Sequence, residues 1–559
     1  MIVLTIDRSG TKLAVHFDYR ADLVDRIKMI PGRVWKRPYW MVPLTEETVK
    51  EVEQIFAPYG KVMKDQLVMD FLNKKKTENQ EIISWKQENV KLELDCGTTF
   101  VTEPFAHQVT ALAMCQKRKN FGLFMEMGTG KTKVILDLLG NMMGAWPFLV
   151  VAPVAVVHNW RRQASIHQPA LAKMSVCHGS PAQKKLALAA VQCGAAPGLV
   201  VNYESIWRME DDFKKIKWRT MILDESPRIK HRGTQQAKAI MRLGQTVDRK
   251  YILTGTPSPN SPLELYNQIR FLDPTVFGSS WYAFRDRYAI MGGYGGYQVL
   301  GWKNLPELTR KLAQISFRVL KKDCLDLPPK LYQEERLAMD DAQKKVYKEL
   351  AKELVTSVKG TDIVATVVLA KLTKLRQIAL GFVYKPDGTA IALDKNPKLD
   401  RLAEMLPELV KEHKVVIWTS FREEVMMVTN LCQRLGISWV KLDGSTSAEN
   451  RAKDNERFQT DPGLKVFISQ QKAGGIGIDL FAADYCIFFS NDYSYEIRAQ
   501  AEDRLHRQGQ KNQVVYVDLI MKGTIESTIK RMLETKANLA SSITPASVES
   551  LVYDEKEEF

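Results

Sequence analysis

The sequence predicts an α/β protein with two parallel-sheet lobes, a helical insertion and a small α+β unit at the N-terminus. Three observations predict it. Apolar strands alternate with helical patterns twice along the 559 residues, from Phe100 to about Gln333 and again from Pro397, as parallel sheets covered by helices require. An apolar strand, a glycine turn and a helix meet in Gly122-Leu-Phe-Met-Glu-Met-Gly-Thr-Gly-Lys-Thr132. Residues 1–58 carry a strand-and-helix pattern of their own, outside both alternations. The length alone suggests roughly three or four domains.

Taken in order, residues 2–7 and 12–17 read as strands joined at Ser9-Gly10, followed by an amphipathic helix from Arg20 to Ile30. Pro31-Gly32 turns into a strand over 34–42. Thr45 then caps a helix with Glu46 and Glu47 in its first turn, where the helix dipole favours acid. Six basic and two acidic residues lie between Arg20 and Arg37, with Trp35, Tyr39 and Trp40 among or just after them. Cations mixed with aromatics suit nucleic acid, which makes Arg33, Lys36 and Arg37 candidate contacts. The spacing equally allows both tryptophans to fill a very small core.

Residues 59–98 read as a charged connector whose Lys74-Lys75-Lys76 run is a solvated face. The first lobe covers 99–335, with strands at 148–152, 198–202, 220–223 and 251–253. An aromatic-rich insertion at about 270–335 contains Gly292-Gly293-Tyr294-Gly295-Gly296, read as a flexible loop. Arg318, Lys321 and Lys322 precede Leu327-Pro-Pro-Lys330. Residues 336–395 are helical, with Leu369, Leu372, Leu375 and Ile378 spaced along them. The second lobe covers 396–540, with strands at 415–418, 439–442, 466–468 and 485–489, and 541–559 form a tail.

The glycine turn is a phosphate-binding pattern. Gly128, Thr129 and Gly130 let backbone N–H groups close around a polyphosphate at a helix N-terminus. Lys131 would reach the β- and γ-phosphates and the Thr132 hydroxyl would sit on Mg²⁺. Met125 stands where the pattern usually begins with glycine. The partner motif is Met221-Ile-Leu-Asp224-Glu225, in which a buried strand delivers Asp224 to Mg²⁺ and Glu225 to the attacking water. Alone that motif is common; following the phosphate loop in the same sheet, it completes a nucleotide site. The second lobe has no such loop but carries Gln500-Ala-Glu-Asp-Arg504-Leu-His-Arg507-Gln-Gly-Gln510. Arg504 and Arg507, three apart on one helical face, suit the arginine-finger role; salt bridges to Glu502 and Asp503 are the alternative.

An excess of 80 Lys and Arg over 65 Asp and Glu, net +15, favours a polyanionic partner, nucleic acid before membrane. The seven cysteines contain no CxxC pair, which argues against zinc and a disulfide framework and for a reducing compartment. The apolar N-terminus is too short for a signal peptide, and the apolar region 134–157 is cut by Asp137, Asn141, Pro147 and Pro153. A soluble protein with no membrane partner is expected.

Further segments complete an ordered set: Val151-Ala-Pro-Val, Asn202-Tyr-Glu-Ser205, Asp224-Glu-Ser-Pro-Arg-Ile-Lys230, Leu253-Thr-Gly-Thr-Pro257, Leu442-Asp-Gly-Ser-Thr446 and Ala473-Gly-Gly-Ile-Gly-Ile-Asp-Leu480. With the phosphate loop and Gln500 to Gln510, the set resembles the Swi/Snf family of superfamily 2 helicase-like ATPases over roughly residues 99–535. The resemblance implies two RecA-like lobes that grip ATP in their cleft and duplex DNA across their faces. It implies an adenine-reading role for Gln108, in Phe105-Ala-His-Gln108, and places Gln500 beside the arginine fingers. Thr254 and Thr256 match the motif that couples the lobes to nucleotide state, and Lys230 joins the candidate DNA contacts. Two positions depart from the family. Pro227 replaces a histidine that links the acidic box to the coupling motif, and Asp479 stands where asparagine is usual.

Tyr19, Ile30-Pro-Gly-Arg33-Val-Trp35 and Trp40-Met-Val-Pro43 resemble a HARP-type domain, which accompanies annealing helicases. That resemblance implies a packing role for Trp35 and Trp40 and leaves DNA contact to the basic residues. The charged connector, the unit's own apolar pattern and its lack of the nucleotide motifs predict that few contacts cross to the lobes, so that the unit is separable from the motor. The expected function is an ATP-driven translocase on double-stranded DNA that remodels or re-anneals branched structures. A strand-separating DNA or RNA helicase and a nucleotide-gated DNA clamp with slow hydrolysis are the rivals. A bacterial or phage-encoded cytoplasmic protein is expected, with a nuclear location left open.

Overall fold

The computed structural model describes residues 2–8, 10–30, 32–87, 94–258, 260–296, 298–359, 365–442, 448–474 and 478–543. Two compact units are built on Met1–Cys324 and Leu325–Asn538.

The first unit opens with the small sheet. Strands β1 (Ile2–Ile6) and β2 (Lys12–His16) form a hairpin whose turn is held by Asp7, which accepts from the Thr11 and Lys12 N–H groups at 3.2 and 2.9 Å. β3 (Val34–Lys36), β4 (Tyr39–Pro43) and β5 (Val62–Lys64) complete the order β3-β4-β2-β1-β5. The helix Glu46–Phe56 is capped by Thr45, which accepts from the Thr48 N–H at 3.0 Å. It covers a core of Leu4, Leu13, Val15, Val42, Val49, Val52 and Phe56.

This unit differs from expectation in two ways. β5 and the helix Gln66–Gln87 come from the segment read as a connector, and they belong to the fold. Its sparse apolar residues Val68, Phe71 and Leu72 fall at i, i+3 and i+4, enough to lay one helical face on the core. Trp35 does not pack inside: β3 is an edge strand, and Trp35 is 52% exposed. It leans on the half-buried Trp40, ring centroids 5.1 Å apart.

The lobe that follows contains β6 (Asn120–Met125), β7 (Phe148–Ala152), β8 (Ser175–Cys177), β9 (Gly198–Asn202), β10 (Thr220–Asp224) and β11 (Arg249–Leu253). A hairpin of β12 (Ala289–Gly292) and β13 (Gln298–Trp302) precedes β14 (Ser316–Val319). The sheet order is β14-β6-β11-β10-β7-β9-β8, with every pairing parallel. Register pairs Asp224 with Leu253 and Leu253 with Leu123. The carboxyl ends of β6, β11 and β10 therefore stand level, where ligands of open α/β sheets bind.

The glycine cluster is the tip of the β12–β13 hairpin. The insertion before it builds an aromatic core: Phe277 and Phe284 lie 4.8 Å apart, Phe284 and Tyr288 4.9 Å. The small N-terminal sheet seats against this insertion. Lys311, 7% exposed, donates to the Val276 carbonyl (3.1 Å) and pairs with Glu47 at 2.7 Å. A Cβ on Gly32 would meet Ser280, and one on Gly278 would meet Pro43, both at 2.7 Å. Lys75 pairs with Asp273 at 2.7 Å. The expectation that few contacts cross from the N-terminal unit to the lobe does not hold.

The second unit holds β15 (Lys330–Leu337), the hairpin β16 (Phe382–Tyr384) and β17 (Ala390–Ala392), β18 (Val415–Thr419), β19 (Trp439–Leu442), β20 (Val466–Gln470), β21 (Tyr485–Phe488) and β22 (Val514–Met521). Its sheet runs β15-β22-β21-β18-β20-β19, all parallel. β15 falls in residues expected to close the first lobe, yet it pairs with β22 along eight residues. Helices Asp341–Lys359 and Ala365–Ala379 pack through Tyr347, Leu375 and Ile378. The helix Ile525–Ile543 runs past the expected start of the tail, and 544–559 lie outside the described residues.

Candidate nucleotide site

The phosphate loop joins β6 to the helix Lys131–Asn141. Met125 is the last residue of β6 and is fully buried, so its position serves the core and needs no left-handed backbone. Gly130 is required: its φ is +93°, and a Cβ there would meet the Gln108 amide nitrogen at 2.1 Å. Gln108 is itself buried. It accepts from the Phe105 N–H and donates to the Thr129 carbonyl, both at 3.1 Å, while His107 meets the same carbonyl at 2.8 Å. The Thr129 hydroxyl donates to the Glu126 carbonyl at 2.7 Å. Gln108 thus braces the loop from beneath. Lys131 donates to the Met125 and Glu126 carbonyls at 2.8 and 3.2 Å, which holds its ammonium over the loop. Thr132 follows in the first helical turn.

Asp224 ends β10 and Glu225 follows it. The Trp160 indole donates to Asp224 Oδ2 at 3.0 Å. Burial and the neighbouring Glu225 push the Asp224 carboxyl up to about 6. Glu225 has a left-handed backbone (φ 53°, ψ 59°), a conformation that costs a non-glycine residue energy and persists only when its surroundings hold it. The Tyr203 hydroxyl donates to the Asp224 carbonyl at 2.7 Å. The Thr254 hydroxyl stands 3.5 Å from Glu225 Oε2 and accepts from the Thr256 N–H at 3.1 Å. A Cβ on Gly255 would lie 3.3 Å from the Met127 nitrogen, so this loop rests on the phosphate-loop backbone. Thr129, Lys131, Asp224, Glu225, Thr254 and Thr256 are therefore brought together at the carboxyl end of one sheet.

Trp160, Tyr203, Ser226 and Gln268 complete the surroundings; Tyr203 and Ser226 stand inside two of the ordered motifs, and Trp160 and Gln268 outside all of them. A signal existed for Gln268, an amide between the apolar residues Leu265, Tyr266, Ile269, Phe271 and Leu272 of one short helix. A buried polar residue there has to be satisfied by something specific. Lys230 pairs with Glu264 at 2.8 Å and is largely buried, so it does not offer a free surface charge. Arg33, Lys36 and Arg37 are exposed, as a role in DNA contact requires.

In the second unit, Arg504 is buried and donates to the Ile478 carbonyl at 3.1 Å. Arg507 pairs with Asp479, one of the two departures from the family pattern. Gln500 donates to Glu496 at 3.4 Å. The segment after Leu327 wraps the same region: Lys330 and Tyr332 reach Glu502 at 3.2 and 2.7 Å, and His506 meets the Pro328 carbonyl at 2.7 Å. Glu502 also accepts from Arg498 at 2.8 Å, and these cations hold its carboxyl below the usual range despite burial. Residues 443–447 and 475–477, within the Leu442–Thr446 and Ala473–Leu480 motifs, lie outside the described residues.

A family profile described as "SNF2-related domain" matches residues 63–380, more than half of the chain. The chain belongs to that family. A second profile, "Helicase conserved C-terminal domain", matches residues 397–509 of this SNF2-related chain. Relatives include the CHD3-type chromatin-remodeling factor CHR7 of Arabidopsis thaliana, 29% identical over 76% of this chain and 35% of its own length. Another is the human SWI/SNF-related matrix-associated actin-dependent regulator of chromatin subfamily A member 1, 28% identical over 75% of this chain and 41% of its own length. The SNF2-related chain thus spans well under half of these relatives. A solved structure titled "Sulfolobus solfataricus SWI2/SNF2 ATPase core in complex with dsDNA" aligns over 81% of this chain and 95% of that one, with 24% identity and a TM-score of 0.39. Among the described residues, no helix is long and apolar enough to cross a membrane.

Proposed function

We propose that this SNF2-related protein hydrolyses ATP to move along double-stranded DNA, and that it remodels or re-anneals branched DNA. One observation carries the reading: the phosphate loop, the Asp224–Glu225 box and the Thr254–Thr256 loop meet at the carboxyl end of one sheet. Lys131 and the loop N–H groups of Gly128 to Thr132 bind the polyphosphate. Glu225 orients the attacking water and accepts its proton. Arg504 and Arg507 are the proposed transition-state cations.

The donors present fit Mg²⁺. Asp224 has one oxygen tied to Trp160, and with the Thr132 hydroxyl it offers hard oxygen ligands. When bound, the ion neutralises phosphate charge as the γ-phosphoryl leaves. On the DNA side, the net charge of +15 and the exposed Arg33, Lys36 and Arg37 support binding directed at phosphates. The exposed Trp35 between them supports base stacking. The resemblance of the N-terminal unit to a HARP-type domain is what favours annealing over simple tracking.

The chemistry is tested with Lys131→Ala and Glu225→Gln in the presence of duplex DNA. Lys131→Ala is expected to lose ATP binding. Glu225→Gln is expected to keep binding and lose about 10²-fold or more in turnover, as the loss of a general base implies. Near-normal hydrolysis by Glu225→Gln would defeat the reading.

A further inference from the structure

We infer that Gln268 is a positioning residue for hydrolysis, tying the Asp224–Glu225 box to the coupling loop 254–257 through Ser226. This deepens the proposed ATPase reading and rests on it. Gln268 lies on the helix Leu265–Leu272 and is fully buried, as is Ser226. Its amide is satisfied on both sides: Oε1 accepts from the Ser226 hydroxyl at 2.7 Å, and Nε2 donates to the Pro257 carbonyl at 2.7 Å and the Glu264 carbonyl at 2.9 Å. The neighbouring Asn267 donates to the Ile229 carbonyl at 2.7 Å, so this helix grips both ends of the segment Ser226–Ile229. Pro227 has neither an N–H nor a polar side chain to offer.

The geometry gives the bridge a task. Glu225 keeps a left-handed backbone, which needs restraint from both directions. On the N-terminal side the Tyr203 hydroxyl holds the Asp224 carbonyl. On the C-terminal side Gln268 holds Ser226. The same amide fixes Pro257, three residues after the Thr254 hydroxyl that faces the Glu225 carboxylate. Carboxylate, backbone and coupling loop are thereby closed into one ring of contacts, so that a shift in the loop is felt at Glu225.

The test is steady-state ATPase of the full chain with duplex DNA for wild type, Ser226→Ala, Gln268→Met and the double variant, with KM for ATP and thermal midpoints measured alongside. Each single change is expected to lower kcat about tenfold, the order that releasing a strained backbone implies, with KM for ATP little changed. The double variant should be no slower than the slower single variant, because both changes cut one bridge. Gln268→Glu should recover towards wild type as pH falls, since only the protonated carboxyl can donate to Pro257, whereas Gln268→Met should not. Multiplying losses in the double variant, a kcat loss that follows the folded fraction, or no loss at all would overturn the bridge while leaving the ATPase reading standing. Absence of ATP hydrolysis by the wild-type chain would overturn both.

Discussion

Asp479 is a single residue with a consequence for the second unit. It forms an ion pair with Arg507, the arginine proposed to meet the phosphate. An arginine engaged with a carboxylate has to release it before it can serve another anion. Both partners are partly exposed, at 27% and 42%, so the pair is weak, on the order of 0.2–1 kcal/mol. Asp479→Asn is therefore expected to raise DNA-stimulated turnover, by no more than about fivefold on that energy scale. Unchanged turnover in a steady-state assay would show that the pair places no restraint on Arg507, and lower turnover that Asp479 aids it. The placement of Lys131, Asp224 and Glu225 was legible in the sequence because each sits at a fixed step from a glycine turn or a strand end. Their supports were not. Trp160 lies 64 residues from Asp224 and Gln268 lies 42 from Ser226, and such pairings follow only from the sheet order.

At the scale of elements, the parallel strands β7, β9, β10 and β11 were readable because each is a short apolar run between helical patterns. β8 and β14, of three and four residues, were not, since edge strands that short leave no period to detect. β15 carries the polar run Gln333-Glu-Glu-Arg336 at the edge of the second sheet, with no apolar period to mark a strand, and its membership depends on β22, nearly 200 residues later. The seam between the small N-terminal sheet and the insertion was misread for the same reason. Its contacts join Glu47 to Lys311 and Lys75 to Asp273. Lys311→Met leaves Glu47 without this partner in a largely buried place, a change that costs about 2–3 kcal/mol. Starting the chain at Thr98 would bare Phe277, Phe284 and Tyr288. Both variants should lower the thermal midpoint of the first unit in calorimetry. An unchanged midpoint in the shortened chain would show that the N-terminal sheet is energetically independent of the lobe.

Across the whole molecule, charge and site geometry point the same way. A net charge of +15 attracts polyanions at long range but selects none of them. In the proposed reading, the exposed cations and Trp35 at β3 and its turn to β4 give that attraction a local address, and the carboxyl end of the first lobe's sheet supplies the chemistry. What links the two is the claim that nucleic acid governs hydrolysis. The most direct test is the steady-state ATPase rate of the full chain at fixed salt with no nucleic acid, single-stranded DNA, duplex DNA and forked DNA. Duplex and forked DNA should raise the rate several-fold over the protein alone, with single-stranded DNA well below them. A rate that no DNA changes, or one stimulated by single strands alone, would contradict a motor that tracks along the double helix.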